Sequence, residues 1–302
     1  MTELQRYLAE EVAEDHADGI ITRREAMRRL GLLGVTGATA AAMLAAGEEA
    51  TGATDSGGSG RPRSAPDTEW APVATEEITF SGPRVDLMAA WAAAEKPRGG
   101  VLVIHENRGL NDHIRSVASR FAASGYSALA IDLLSEEGGT AAFPGEAEVA
   151  AALARIPPER FVEDMQAGVT ELRGRVGRNE VAAIGFCFGG SMVWRLLTSG
   201  ERRLAAAAPF YGPFPEGGEL KRSKAAVLGI YGGLDDRVNE TQDAARAALE
   251  AARLEHQFLV FTEADHAFFN DTGLRFNPAA MAEAYRRVLD WFNRFVAEGR
   301  DD

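Results

Sequence analysis

The chain has 302 residues, 46% of them hydrophobic and 25% charged, with a formal net charge of −13. These are the proportions of an ordinary globular protein, and the acidic balance argues against nucleic acid and anionic membrane surfaces as partners. Cysteine occurs once, at Cys187, which excludes an intrachain disulfide. No spacing of His, Cys, Asp and Glu forms a metal-ligand motif, so neither metal nor cofactor is expected.

The chain opens on a stretch that reads apart from the rest. Thr22-Arg23-Arg24-Glu25-Ala26-Met27-Arg28 precedes the weakly apolar run Leu30 to Ala46. Paired arginines before a modest hydrophobic stretch resemble a twin-arginine export signal, although Ala26 sits where a large apolar residue is usual and the preceding region is long. The run is too short and too rich in glycine for a permanent membrane span. Residues 1–49 are therefore expected to direct export to the periplasm, cell envelope or exterior. The alternative is a cytoplasmic protein whose amphipathic helix carries surface arginines. Residues 50–70, rich in Gly, Ser, Thr and Pro, read as a flexible linker.

Residues 71–302 are expected to form one catalytic domain, since roughly 230 residues suffice for one α/β core and not for two typical domains. Glu77–Phe80 and Asp86–Trp91 flank a Gly82-Pro83 turn and predict an antiparallel edge hairpin. Strand 100–105, helix 112–124 and strand 127–131 follow. Helical stretches are predicted at 146–155 and 158–176. The apolar run Val181–Ile184 is a strand, followed by a helix at 188–199 and a strand at 204–210. Two more strand–helix units start at 225 and 257, and the last helix covers 279–297. Strands alternating with helices of this length mean βαβ crossovers and a mostly parallel sheet with helices on both faces.

Chemistry concentrates where three of these strands end. Gly185-Phe186-Cys187-Phe188-Gly189-Gly190 places the lone cysteine on a sharp strand-to-helix turn, where glycines leave room for a nucleophile. The other reading is that Cys187 is a small buried hydrophobe. Strand 225–231 runs into Gly233-Leu234-Asp235-Asp236-Arg237-Val238, and strand 257–261 into Asp265-His266-Ala267-Phe268-Phe269. Nucleophile, acid and histidine thus follow in the chain order of α/β-hydrolases, each past the C-terminal end of a strand, where ligands of open α/β sheets bind.

With His105-Glu106-Asn107-Arg108-Gly109-Leu110 after the strand at 100–104, these motifs resemble the dienelactone hydrolase family, α/β-hydrolases with a cysteine nucleophile (carboxymethylenebutenolidase-like). The likeness covers roughly 76–296 and is closest to an exported-looking branch. It implies Cys187 as nucleophile, His266 as general base and then acid, and Asp235 as the carboxylate that orients the imidazole. Asp236 competes for that last role and otherwise caps the next turn. The oxyanion hole would be the backbone N–H groups of Phe188 and Asn107. A glutamate at the position of Glu106 contacts the resting cysteine in the resembled family and would keep the thiol protonated by like-charge repulsion. Alternatively Glu106 caps the following helix.

The substrate arginines of the founding members have no clear counterpart. No arginine follows His266 until Arg275; Arg108 and Arg155, with Arg115 and Arg160, are surface-type candidates, and Phe268 is a candidate apolar wall. The resulting expectation is hydrolysis of a small-molecule ester or lactone through a Cys-His-Asp triad and a thioester acyl-enzyme, by a monomer or small homo-oligomer. The alternatives are a general esterase or thioesterase on the same scaffold, or a non-catalytic thiol-based binding or sensing module.

Overall fold

The computed structural model of the chain describes residues 1–50, 72–177 and 179–298. Three helices come first: α1 (Glu3–Ala17), α2 (Arg23–Leu32) and α3 (Gly37–Ala50). The antiparallel pair β1 (Glu76–Ser81) and β2 (Asp86–Ala92) follows, then β3 (Gly100–Ile104), α4 (Asp112–Ala123) and β4 (Ser127–Ile131). Next are α5 (Glu146–Leu153), α6 (Pro158–Val176), β5 (Val181–Phe186), α7 (Phe188–Thr198) and β6 (Leu204–Phe210). The chain continues through β7 (Ala226–Gly232), α8 (Asp236–Asn239), α9 (Gln242–Ala252), β8 (His256–Phe261) and α10 (Pro278–Phe292), which ends in a wider turn at Asn293–Ala297.

The eight strands form one sheet in the order β1-β2-β4-β3-β5-β6-β7-β8. Only the pairs β1/β2 and β2/β4 are antiparallel. Every residue of β3, β4, β5 and β7 is buried, the consequence of helices covering both faces, and it explains why these strands read as unbroken apolar runs. The hairpin sits at one edge and half-exposed β8 at the other. Helix α4 shows how the flanking layer is specified. Asn111 caps its N-terminus by accepting from Ile114 N at 3.1 Å. Ile114, Val117 and Phe121, all fully buried, then fall on one face at helical spacing.

Topology decides where a site can form. From β3 the chain moves outward to β4, then returns to the other side of β3 with β5. The crevice between the carboxyl ends of β3 and β5 is therefore the switch point of the sheet, where ligands of doubly wound folds bind. Glu106 and Asn107 follow β3, and Cys187 follows β5.

The expected linker lies outside the described residues except for Ala50, which ends α3. The stretch expected to serve export forms three helices packed on the sheet domain: Leu4, Leu8, Ala26, Leu30 and Leu44 are buried in the same apolar cluster as the strands. Threonine 2 begins α1 with a capping box, its hydroxyl accepting from Gln5 N while Gln5 Oε1 accepts from Thr2 N. Among the described residues no helix is long and apolar enough to cross a membrane.

Candidate active site

Cys187 sits between β5 and α7 with φ 55° and ψ −119°, a left-handed backbone that a non-glycine residue adopts only when its surroundings hold it there, at about 1–3 kcal/mol. Those surroundings are tight. A Cβ on Gly185 would stand 2.2 Å from Gly189 O, and one on Gly189 2.4 Å from Ile104 O. Glycine is thus required at both positions by backbone contact with the turn and with the end of β3. Cys187 N donates to Phe210 O at 3.1 Å, tying the elbow to β6. Tyr211 and Ala267, which flank the site, also have positive φ, so three of the four such non-glycine residues among those described lie around one thiol, the fourth being Arg253 at the end of α9. Beneath it Phe186, Phe210 and Phe269 pack with ring centroids 4.8–5.2 Å apart, each such pair adding about 0.5–1.5 kcal/mol beyond burial and stiffening the floor.

His266 follows β8 and is fully buried. Its Nδ1 lies 2.6 Å from Asp235 Oδ2, and its ring packs on Tyr211 at 5.2 Å between centroids. Asp235 itself is 1% exposed. Its second oxygen, Oδ1, accepts from Val238 N at 3.3 Å and caps α8. Asp235 thus performs both the orienting contact and the capping that the sequence divided between two aspartates; Asp236 is exposed and is the first residue of α8. Burial pushes the Asp235 carboxyl up, but the charge of His266 and its hydrogen bond outweigh this and leave it below its ordinary value. For His266, burial acts to lower the pKa, and Asp235 together with Cys187 lifts it well above the usual imidazole range. With Nδ1 engaged by Asp235, Nε2 is the nitrogen left for the thiol; it is buried and makes no hydrogen bond.

The thiol is surrounded by partners that the motifs did not indicate. Cys187 Sγ donates toward both carboxylate oxygens of Glu11, each at 3.4 Å. Tyr7 Oη donates to Sγ at 3.3 Å, and Asn107 Nδ2 donates to Glu11 Oε1 at 2.9 Å. Glu11 and Tyr7 lie one helical turn apart on α1, so they share a face. Burial first, then the Glu11 carboxylate, raise the thiol pKa; His266 opposes them and Glu106 adds a smaller push upward. Burial and Glu11 thus favour the protonated thiol over the thiolate, and His266 pulls the other way.

Glu106, expected at the sulfur, takes a different partner. Its Oε2 accepts from Asn270 Nδ2 at 2.6 Å, while Oε1 is buried without a hydrogen bond. It lines the pocket beside Cys187, but Glu11 holds the place nearest the thiol. Of the weaker candidates, Arg108 lines the pocket and reaches Glu146 at 3.5 Å. Arg155 instead donates to Leu32 O at the C-terminal end of α2, and Phe268 is fully buried against Phe210, Tyr211 and Phe261, so neither forms part of the pocket wall. Phe188 is the first residue of α7, where helical N–H groups have no intrahelical acceptor and can face a ligand. Among the described residues Glu11, Cys187 and His266 are the one set of donors grouped closely enough for a metal, all within 4.8 Å. Two of the three are the thiol and its histidine, so an ion there would occupy the site of reaction.

The pocket above Cys187 has a volume of about 70 Å³. Its walls come from the loops after β3 and β8, from α5, and from Leu8, Glu11, Val12, Asp15, Arg29 and Leu33 of the N-terminal helices.

A cysteine on a strained strand-to-helix elbow, facing a buried His–Asp pair across the switch point of a mostly parallel sheet, defines an α/β-hydrolase. Residues 87–296 match the model of the dienelactone hydrolase family, and the chain belongs to that family. An Escherichia coli O157:H7 protein named provisionally as a carboxymethylenebutenolidase is 31% identical over 228 residues, 70% of this chain and 83% of its own. A provisionally named dienelactone hydrolase of Klebsiella pneumoniae superposes with a TM-score of 0.66 at 25% identity, covering 74% of this chain and all of its own. A dienelactone hydrolase-like promiscuous phosphotriesterase from metagenomic libraries gives 0.63 at 26% identity over 75% of this chain and all of its own. The protein is a hydrolase acting on ester or lactone bonds. Helices α1 to α3 lie outside the stretch matched to the family.

Proposed function

We propose that this hydrolase works by covalent catalysis through Cys187. The observation that carries the reading is the buried His266–Asp235 contact of 2.6 Å beside a cysteine held on the elbow. His266 Nε2 takes the thiol proton as Sγ forms a bond to the substrate carbonyl carbon, and Asp235 stabilises the resulting imidazolium. The carbonyl oxygen becomes an oxyanion facing the N–H groups of Phe188 and Asn107; each such donor contributes about 3–4 kcal/mol. As the tetrahedral intermediate collapses, the carbon–oxygen bond breaks and His266 returns its proton to the leaving oxygen. That leaves a thioester on Cys187. Water, deprotonated at His266, cleaves the thioester, releasing the acid and restoring the thiol. For a lactone, the leaving alcohol remains part of the product. A panel of chromogenic esters, lactones and thioesters, with one phosphotriester added because of the metagenomic relative, tests the reading when combined with mass spectrometry of the intact protein. An acyl adduct on Cys187 is expected with slow substrates; turnover that persists in Cys187→Ala overturns it.

Export is part of the same proposal. Arg23 and Arg24 are exposed at the start of α2, which supports their availability to a twin-arginine translocase. The N-terminal residue of the protein recovered from cell fractions decides, and an intact Met1 confined to the cytosol overturns it.

A further inference from the structure

Helix α1 is held across the site by three arginines of the sheet domain. Arg195 pairs with Glu3 at 2.6 Å, Arg237 with Glu14 at 3.0 Å, and Arg275 with Asp15 at 2.8 Å and Asp18 at 2.5 Å. Arg237 also lies over the Tyr7 ring, 4.7 Å from its centroid. These clamps set α1 so that the Glu11 carboxyl reaches Cys187. Both of its oxygens stand 3.4 Å from Sγ, within the separation of about 3–3.5 Å that reacting atoms have in a near-attack geometry. A scissile acyl group has to occupy that same place. The remaining cavity of about 70 Å³ compares with the roughly 300–1,000 Å³ of pockets that hold small-molecule ligands, so a substrate does not fit beside Glu11.

We propose that α1 is a strap that closes the active site in cis: the Glu11 carboxyl occupies the acyl position at Cys187, and substrate enters by displacing it. This rests on Cys187 as the nucleophile. The product of ester hydrolysis is itself a carboxylate, so Glu11 sits as a tethered product mimic, bonded to the thiol and to Asn107 Nδ2. Its docking is built to yield. Glu11 is 8% exposed and has no ion-pair partner among the described residues, whereas the clamping arginines meet their acids toward the rim. Burial pushes the pKa of the Glu11 carboxyl upward against the opposing pull of His266 and Arg237, and a carboxylate taken out of water opposes its own burial, which leaves the closed state shallow.

The test uses the full chain and does not require ester turnover. Cys187 is the one cysteine, so iodoacetamide reports on it alone, and the rate is read on the high-pH plateau, where the thiolate is fully formed and a shifted thiol pKa no longer contributes. Glu11→Ala is expected to raise the plateau rate about 10-fold or more, as for a site whose open state is a minor population. Glu11→Gln, which keeps the bulk and removes the charge, raises it less. Arg195→Ala with Arg275→Ala leaves Glu11 in place, loosens the clamps, and is expected to raise it several-fold, with faster amide exchange in α1. Unchanged plateau rates in Glu11→Ala and in the arginine pair overturn the strap. So does faster ester turnover in wild type than in Glu11→Ala at equal alkylation, which would make Glu11 a group assisting the reaction. Absence of ester turnover in every variant, with alkylation responding as expected, would instead count against Cys187 as nucleophile and leave the strap standing.

Discussion

The elbow and the strap both meet at Cys187, yet they are held by different physics. Around the elbow, backbone touches backbone: Gly185 and Gly189 admit no Cβ, Cys187 is held at positive φ, and Asp235 and His266 are each 1% exposed or less. The strap is fixed by side chains: Leu4, Leu8 and Val12 buried in the apolar cluster, arginines that pair with acids of α1 and the turn after it, and one carboxyl placed on the sulfur. The clamping side chains are only partly exposed, 10–48%, and solvent-screened ion pairs contribute about 0–1 kcal/mol apiece, whereas the elbow is backbone packed in the core. One region is therefore rigid and the other releasable, and a site that needs both precision and access can draw them from separate parts of the chain.

That contrast can be broken at its largest effect first. Cys187→Ala is expected to lower kcat by about 10⁴–10⁶-fold, measured on whichever ester of the panel turns over best. Asp235→Asn should cost about 10⁴-fold by leaving His266 in the wrong tautomer, while Asp236→Asn stays within about two-fold because that side chain is in solvent. Equal losses in the two variants would contradict the 2.6 Å contact as the orienting one. Gly189→Ala should lower stability by about 1–3 kcal/mol as the elbow backs away from Ile104, seen as a reduced Tm. The paired Arg195 and Arg275 substitutions should cost less than about 2 kcal/mol together while changing access to the thiol. A thermal shift as large as that of Gly189→Ala would show the strap to be core after all.

The smallest effect is on pH dependence. The Asp235 carboxyl lies below its ordinary value in the folded protein, so its contribution to stability is present above the ordinary carboxylate range of about 4 and is lost as pH falls through the lowered value. His266 is raised, so its contribution is complete below the ordinary imidazole range of about 6.5 and is lost as pH rises through the raised value. Because each group supplies the other's shift, unfolding followed by denaturant from acid to alkaline pH should show both limbs flattened in Asp235→Asn and in His266→Gln. Parallel limbs in wild type and variants would show that neither group carries the linkage.

The same contrast governs what the sequence disclosed. Chain-order strands, the edge hairpin, the helix at 158–176 and the positions of Cys187, Asp235 and His266 were legible because each rests on local signals: apolar runs, turn glycines, and motifs at strand ends. Asp235 was separable from Asp236 by family likeness, and the structure adds a physical reason, since only the N-cap residue of α8 faces inward. Glu11 and Tyr7 were not found. Their partner is 176 and 180 residues away along the chain, and a helix preceding paired arginines fits an export signal equally well. The available clue was the face Leu4, Tyr7, Leu8, Glu11, Val12, a stripe at helical spacing that contains one acid. An acid within an otherwise buried stripe is uncommon unless something meets it.

Because Glu11 and Cys187 belong to one molecule, their encounter is unimolecular. Tethered groups meet at effective concentrations on the order of millimolar or higher, whatever the protein concentration, so dilution does not free the thiol. A substrate has to compete with a carboxyl that never diffuses away, and the apparent KM carries that competition as a fixed surcharge. Any event that severs α1 from the sheet domain would remove it in one irreversible step.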